Sequence, residues 1–146
     1  MKFDARRGAD GTATVEFVWL TVLLLVPFVY ILIAVLDTQR AAFGVSTASR
    51  SAARAFIQAP DVGTGEQRAR IAARIALDDQ ALPDAAVQIT CLPSPADCLT
   101  PGSSVRVLIR TTQPLPLTPS ALGSQLGGIT VDSTHTEPYG SYRSKR

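Results

Sequence analysis

One apolar run near the amino terminus constrains this 146-residue chain more than any other feature. From Phe17 to Leu36 there are 20 consecutive uncharged residues. At about 1.5 Å per residue they make a helix of roughly 30 Å, the thickness of the hydrocarbon core of a bilayer. The rest of the chain is too short and too polar to bury such a helix on all sides. The sequence therefore predicts a single membrane-spanning helix rather than a buried core helix.

The charges that flank the apolar run do not decide its orientation. Three basic residues precede the run, and the first three after it lie within 18 residues of its end, namely Lys2, Arg6, Arg7, Arg40, Arg50 and Arg54. The positive-inside rule is therefore undecided. A cleaved secretory signal peptide is disfavoured because the run exceeds the usual length of about 7–15 residues and no small-x-small site follows it. The net charge of +2 is too small to indicate a nucleic-acid partner.

Glu16 is the anomalous residue of this region, because a carboxylate stands directly before the apolar run. An ionised, unpaired acid in a membrane helix costs up to roughly 2.5–3.5 kcal/mol at the bilayer centre and less near the interface. One explanation is that Glu16 complements the helix dipole, although Ala13 three residues earlier cannot complete a capping box. The other explanation is that the carboxylate pairs with a cationic group outside its own helix.

The spacing of Gly11, Glu16 and Phe17 after a basic leader resembles the type IV pilin signal, in which glutamate is the fifth residue after the cleaved glycine. More closely, the segment from Gly8 to Phe56 resembles TadE-like pseudopilins, which are minor pilins of the Tad/Flp pilus assembly system. The resemblance implies cleavage by a prepilin peptidase between Gly11 and Thr12. It also implies that Glu16 and Phe17 act in assembly, with Glu16 against the amino terminus freed on a neighbouring subunit.

Helical periodicity continues beyond the apolar run. Small and apolar residues recur every three or four positions from Ala41 to Ala59, which predicts an amphipathic extension of the helix over residues 37–59. Phe43 and Gly44 interrupt the pattern. Packing of this stripe on its own domain and packing on a neighbouring subunit are equally compatible with the sequence.

A second, short helix is predicted after a break that contains proline and glycine. Thr64 and Gln67 are spaced as a capping box, and the helical pattern ends near Asp79. The residues that share its apolar face are Ile71, Ala72, Ile75 and Ala76. Its arginines are interpreted as a solvated face, namely Arg68, Arg70 and Arg74.

The rest of the chain predicts a small antiparallel sheet. Three β-branched, alternating segments are bounded by proline or glycine, at residues 86–91, 105–111 and 129–136. Cys91 and Cys98 close the loop between the first two segments, and outside the cytoplasm a disulfide is the natural expectation. Such an eight-residue loop would contribute roughly 2–3 kcal/mol to stability. A metal site is not expected, because His135 is the only histidine.

The predicted fold class is α+β, with a transmembrane helix extended into an amphipathic helix, then a short helix and an antiparallel sheet with one disulfide loop. The expected parts are a cytoplasmic leader (1–11), a transmembrane helix (12–36), a helical extension (37–59), an extracytoplasmic α+β domain (60–139) and a disordered basic tail (140–146). The connection from Pro114 to Gly128 is either an interaction loop or a cover for the sheet.

The function expected from these features is structural. No catalytic or cofactor-binding motif is present in the sequence, so neither enzymatic activity nor a cofactor is expected. The leading hypothesis is a pseudopilin of a Tad-type pilus or secretion apparatus, anchored in the cell membrane with its amino terminus cytoplasmic. Its expected partners are a prepilin peptidase, other pilins and pilus assembly proteins, with no nucleic acid and no small-molecule substrate. The alternative is an unprocessed, membrane-anchored module whose extracytoplasmic domain recognises a ligand.

Overall fold

The computed structural model describes residues 10–82, 85–114 and 128–142. Two helices precede three strands: α1 (Asp10–Ile57), α2 (Val62–Asp78), β1 (Ala86–Leu92), β2 (Ser104–Pro114) and β3 (Gly128–Pro138). The predicted series of a long apolar helix, a second helix and a small antiparallel sheet is thereby confirmed. Most of the expected leader, the connection between β2 and β3 and the end of the expected tail lie outside the described residues.

α1 is a single helix of 48 residues that contains both the apolar run and the predicted extension. Pro27 lies inside it. A proline removes one backbone hydrogen bond, which helices in apolar surroundings tolerate. The helix ends at Ile57, two residues before the predicted end at Ala59, and a short break that contains Pro60 follows.

The chain forms two compact units, residues 1–36 and residues 37–146. The described part of the first unit is the apolar half of α1. Its large apolar side chains are exposed, Phe17 at 69% for example, and none of the residues in its most apolar 18-residue window is buried. By length and composition this helix is a candidate membrane span.

The second unit has one hydrophobic core, to which α1, α2 and the sheet all contribute. Small side chains of α1 point into this core, which lets the helix lie close to its neighbours. The residues of the predicted stripe that are completely buried are Ala41, Val45, Ala48, Ala52 and Ala59. Of the two arrangements that the sequence left open, the structure therefore has the stripe packed against its own domain.

The sheet has the order β1-β2-β3, with both neighbouring pairs antiparallel. The central strand β2 alternates regularly, and its inward side chains are Val105, Val107, Ile109 and Thr111. By register, Val107 lies between Ile89 of β1 and His135 of β3. The predicted strands are confirmed, and all three extend beyond the predicted segments at one or both ends.

The amino-terminal cap of α2 differs from the prediction. Asp61 is the cap residue, and its carboxylate accepts hydrogen bonds from the Thr64 backbone N–H at 2.8 Å and from the Thr64 hydroxyl at 2.7 Å. The predicted capping box of Thr64 and Gln67 is wrong because Asp61 satisfies the first free N–H groups three residues earlier. Those two bonds, the backbone one foremost, hold the pKa of Asp61 below its ordinary value.

The buried face of α2 also differs from the prediction. Ile71 and Ile75 are 52% and 60% exposed. The residues that face the core are small except for the last, namely Gly65, Ala69, Ala73 and Leu77. Small residues are needed here because α2 lies close to α1.

Two glycines mark the close approach of these helices. A Cβ on Gly65 would lie 3.2 Å from the Phe56 carbonyl oxygen, and a Cβ on Gly44 would lie 2.5 Å from Leu82 Cδ1. The start of α2 therefore lies beside the end of α1, and the turn after α2 returns to an earlier turn of α1. α2 and this part of α1 form an antiparallel helical hairpin.

Candidate functional site

The predicted processing residues lie at the amino-terminal end of α1. The helix begins at Asp10, so Gly11 and Thr12 are in its first turn. Glu16 follows Thr12 by four residues, about 6 Å along the helix axis. Glu16 therefore lies about one helical turn after residue 12.

Glu16 has an exposed side chain. In the described part of the chain, no hydrogen bond or ion pair reaches its carboxylate. The side chains on either side of it are apolar and exposed, namely Val15, Phe17, Val18 and Trp19. The Thr21 hydroxyl, by contrast, donates to the Phe17 carbonyl oxygen at 2.8 Å and so satisfies its donor within the helix. Glu16 is thus a charged group of this region that has no partner among the described residues.

The two cysteines form the predicted disulfide. Cys91 at the end of β1 is bonded to Cys98, with a Cα–Cα distance of 4.9 Å. Both are buried, at the edge of the hydrophobic core. The bond closes the first part of the connection between β1 and β2.

Ser103 organises the rest of that connection. Its hydroxyl lies 2.9 Å from the Cys98 carbonyl oxygen and 2.7 Å from the Thr100 carbonyl oxygen. Its own carbonyl oxygen accepts from the Tyr139 backbone N–H at 2.9 Å. Hydrogen bonds therefore connect this loop both to itself and to the residue that follows β3.

The inward face of β3 is polar where that of β2 is apolar. Ser133, His135 and Glu137 lie opposite Ile109, Val107 and Val105 respectively. The His135 Nε2 and the Glu137 Oε2 are 2.9 Å apart, and the hydroxyls of Ser133 and the buried Ser49 of α1 are 3.3 Å apart. Each polar side chain has a partner, so β3 can lie at the edge of the sheet without burying an unpaired group. Among the described residues, no group of three His, Cys, Asp or Glu side chains is placed to hold a metal ion.

A groove between α2 and β1 was not predicted. A cavity of about 170 Å³ is lined by Arg70, Arg74 and Leu77 of α2 and by Ala85 and Val87 at the start of β1. The four-residue spacing of the two arginines is visible in the sequence. Their position beside β1 is not, because it depends on how α2 packs on the sheet.

Comparison of the chain with protein-family models, with curated proteins and with solved structures finds no match.

Proposed function

We propose that this protein is a pilin-like subunit of a Tad-type pilus or secretion apparatus, processed by a prepilin peptidase after Gly11. The observation that carries the proposal is Glu16. Its carboxylate lies on an exposed apolar helix and has no partner among the described residues of its own chain. In a membrane such a group needs a cation from elsewhere.

Processing after Gly11 would supply that cation. A freed amino group on Thr12 has an ordinary pKa near 7.7–8.0 and is largely cationic at neutral pH. Placed against Glu16 of the next subunit, it neutralises both charges and fixes the axial register of the two helices. The helix dipole is a weaker explanation for Glu16, because its effect falls off within the first turn and α1 begins six residues earlier, at Asp10.

The two units support this role in different ways. The second unit buries the inner face of α1 within its own core, so assembly contacts through α1 would fall mainly to the exposed apolar half. That half is also the candidate membrane span, which would hold the subunit in the membrane until it assembles. In this proposal the amino terminus is cytoplasmic, and the disulfide-containing unit is extracytoplasmic, where disulfides persist.

The direct test is amino-terminal sequencing of the protein from the membrane fraction. In cells that express a prepilin peptidase we expect the mature chain to begin at Thr12, and in cells without it at the initial residues of the leader. A Gly11→Leu variant should remain unprocessed in both. If the wild-type chain keeps its leader in the presence of the peptidase, the pilin mechanism is excluded. The alternative of an unprocessed membrane-anchored binding module would then be favoured.

A further inference from the structure

We propose that the groove between α2 and β1 binds an acidic, extended segment of a partner protein. Two charged residues of α2, Arg70 and Arg74, line the groove. The rest of its lining is apolar and consists of Leu77, Ala85 and Val87. Both arginines are exposed, and in the described part of the chain neither one forms an ion pair. This inference does not depend on processing at Gly11.

The positive charge of the two arginines indicates that the groove binds an acidic ligand. Guanidinium groups bind carboxylates through paired, charge-assisted hydrogen bonds, and two of them on successive turns of one helix form a matched pair of sites. Residues four apart on a helix have Cβ atoms about 5–6 Å apart. Side chains two apart on an extended strand are separated by about 6.6 Å and point the same way. An extended segment with two acidic residues in alternate positions therefore fits this spacing.

β1 offers the second part of the site. It is an edge strand of the sheet, and no backbone hydrogen bond from the described residues reaches its outer side. Its inward residues Val87 and Ile89 are only half-buried, whereas Val107 and Ile109 of β2 are completely buried. An extended segment added to β1 would pair with the free backbone groups, cover these side chains and direct alternate residues towards α2.

A phospholipid headgroup would satisfy the arginines but would leave the backbone edge of β1 unpaired. The groove is therefore better matched to a polypeptide than to a membrane surface. The two exposed isoleucines of α2, Ile71 and Ile75, adjoin the arginines in sequence and extend the surface available to such a partner.

The test uses the full chain in uncharged detergent micelles and a fluorescein-labelled peptide, Thr-Glu-Val-Glu-Thr. Binding is followed by fluorescence anisotropy at low salt. We expect saturable binding that weakens at least tenfold when both glutamates of the peptide are replaced by glutamine.

The chain supplies a matched control for the arginines. Arg50 and Arg54 of α1 are also exposed and four residues apart, but they lie outside the groove. The double variant Arg70→Gln/Arg74→Gln should weaken binding at least tenfold, and Arg50→Gln/Arg54→Gln by less than twofold. If both double variants lost the same affinity for the peptide, the binding would be due to general surface charge and the proposal would be overturned. An absence of peptide binding to the wild-type chain would also overturn it.

Two further measurements separate the possible occupants. Two isomers of the peptide, N-methylated on alternate residues, differ in which backbone N–H groups they can donate, so strand addition predicts that only one of them binds. Equal binding of both isomers would overturn the proposed strand addition.

Micelles doped with phosphatidylglycerol, or inorganic phosphate at constant ionic strength, should displace the peptide only weakly. Complete displacement by either one at concentrations similar to that of the peptide would identify a lipid or small-anion site instead.

Discussion

Two acidic residues near the amino-terminal ends of the two helices have opposite surroundings. Asp61 caps α2 and accepts two hydrogen bonds from Thr64. Glu16 lies beyond the first turn of α1 among exposed apolar side chains, with no partner among the described residues. The first carboxylate is explained by its own chain, because a cap satisfies backbone groups that the helix leaves free. The second has no such role among the described residues.

This contrast predicts the behaviour of a Glu16→Ala variant. The substitution removes a charge from an apolar helix, so the protein should stay in the membrane fraction at wild-type levels. If the protein is the pilin-like subunit proposed above, its incorporation into a pilus should fall to background, because the amino terminus of the neighbouring subunit would lose its counter-charge. Both are measured by fractionation and by immunoblotting of sheared surface fibres.

Asp37→Asn is the matched control, since Asp37 is the acid at the other end of the apolar run. It should assemble normally. Wild-type assembly of Glu16→Ala would instead support a local role for Glu16 in the helix dipole.

At the scale of the elements, the hairpin of α1 and α2 depends on small residues. Gly44 allows Leu82 to approach α1, and Gly65 allows α2 to approach Phe56. Glycine weakens an isolated helix by about 1 kcal/mol relative to alanine. Its presence at residue 44 is therefore explained by packing rather than by local helix propensity, and this also accounts for the interruption that it makes in the sequence pattern.

A Gly44→Leu variant should lose stability. The new side chain must enter space filled by Leu82 and Gln80, and overpacking of this kind costs about 1–3 kcal/mol. Helix propensity offsets about 0.8 kcal/mol of this cost. We expect the free energy of unfolding to fall by up to about 2 kcal/mol, measured by urea denaturation in detergent micelles with circular dichroism.

Ala42→Leu provides the comparison, because Ala42 is an exposed residue of the same helix. It should change the free energy of unfolding by less than about 0.5 kcal/mol. Equal effects of the two substitutions would contradict a close helix contact at Gly44.

At the scale of the whole molecule, the two units are stabilised by different means. The described part of the first unit exposes its apolar side chains and is a candidate membrane span. The second unit has its own core, a disulfide and a loop tied together by Ser103. The second unit thus has stabilising contacts of its own, and disulfides of this kind persist in oxidising compartments.

Reduction of the disulfide should therefore destabilise the second unit alone. A loop of this length is expected to contribute about 2–3 kcal/mol through the entropy of the unfolded chain. Thermal unfolding in micelles, followed by circular dichroism, should show a lower melting temperature with reductant. The double variant Cys91→Ala/Cys98→Ala should melt at the same temperature with and without reductant. A reductant effect that persists in this variant would show that the cause is not the Cys91–Cys98 bond.

The long apolar helix, the three strands and the cysteine pair could all be predicted from the amino-acid sequence alone. These features depend on the length, periodicity and spacing of consecutive residues, which do not change when the chain folds. The sequence also identified Glu16 as an acid in need of explanation, and the proposed site at the amino terminus rests on that local pattern.

Which faces meet depends on how the helices pack on the sheet, and the sequence did not predict it. Ile71 and Ile75 are the most apolar pair of α2, yet the core-facing residues are mainly alanines and a glycine, and at Gly65 the end of α1 leaves no room for a larger side chain. The stripe of α1 packs inward because the sheet and α2 supply the apolar surface that covers it. The groove beside Arg70 and Arg74 arises from the same packing. The buried faces of α1 and α2 and the position of the groove depend on distances between elements that are far apart in sequence. The local periodicity of the sequence does not contain those distances.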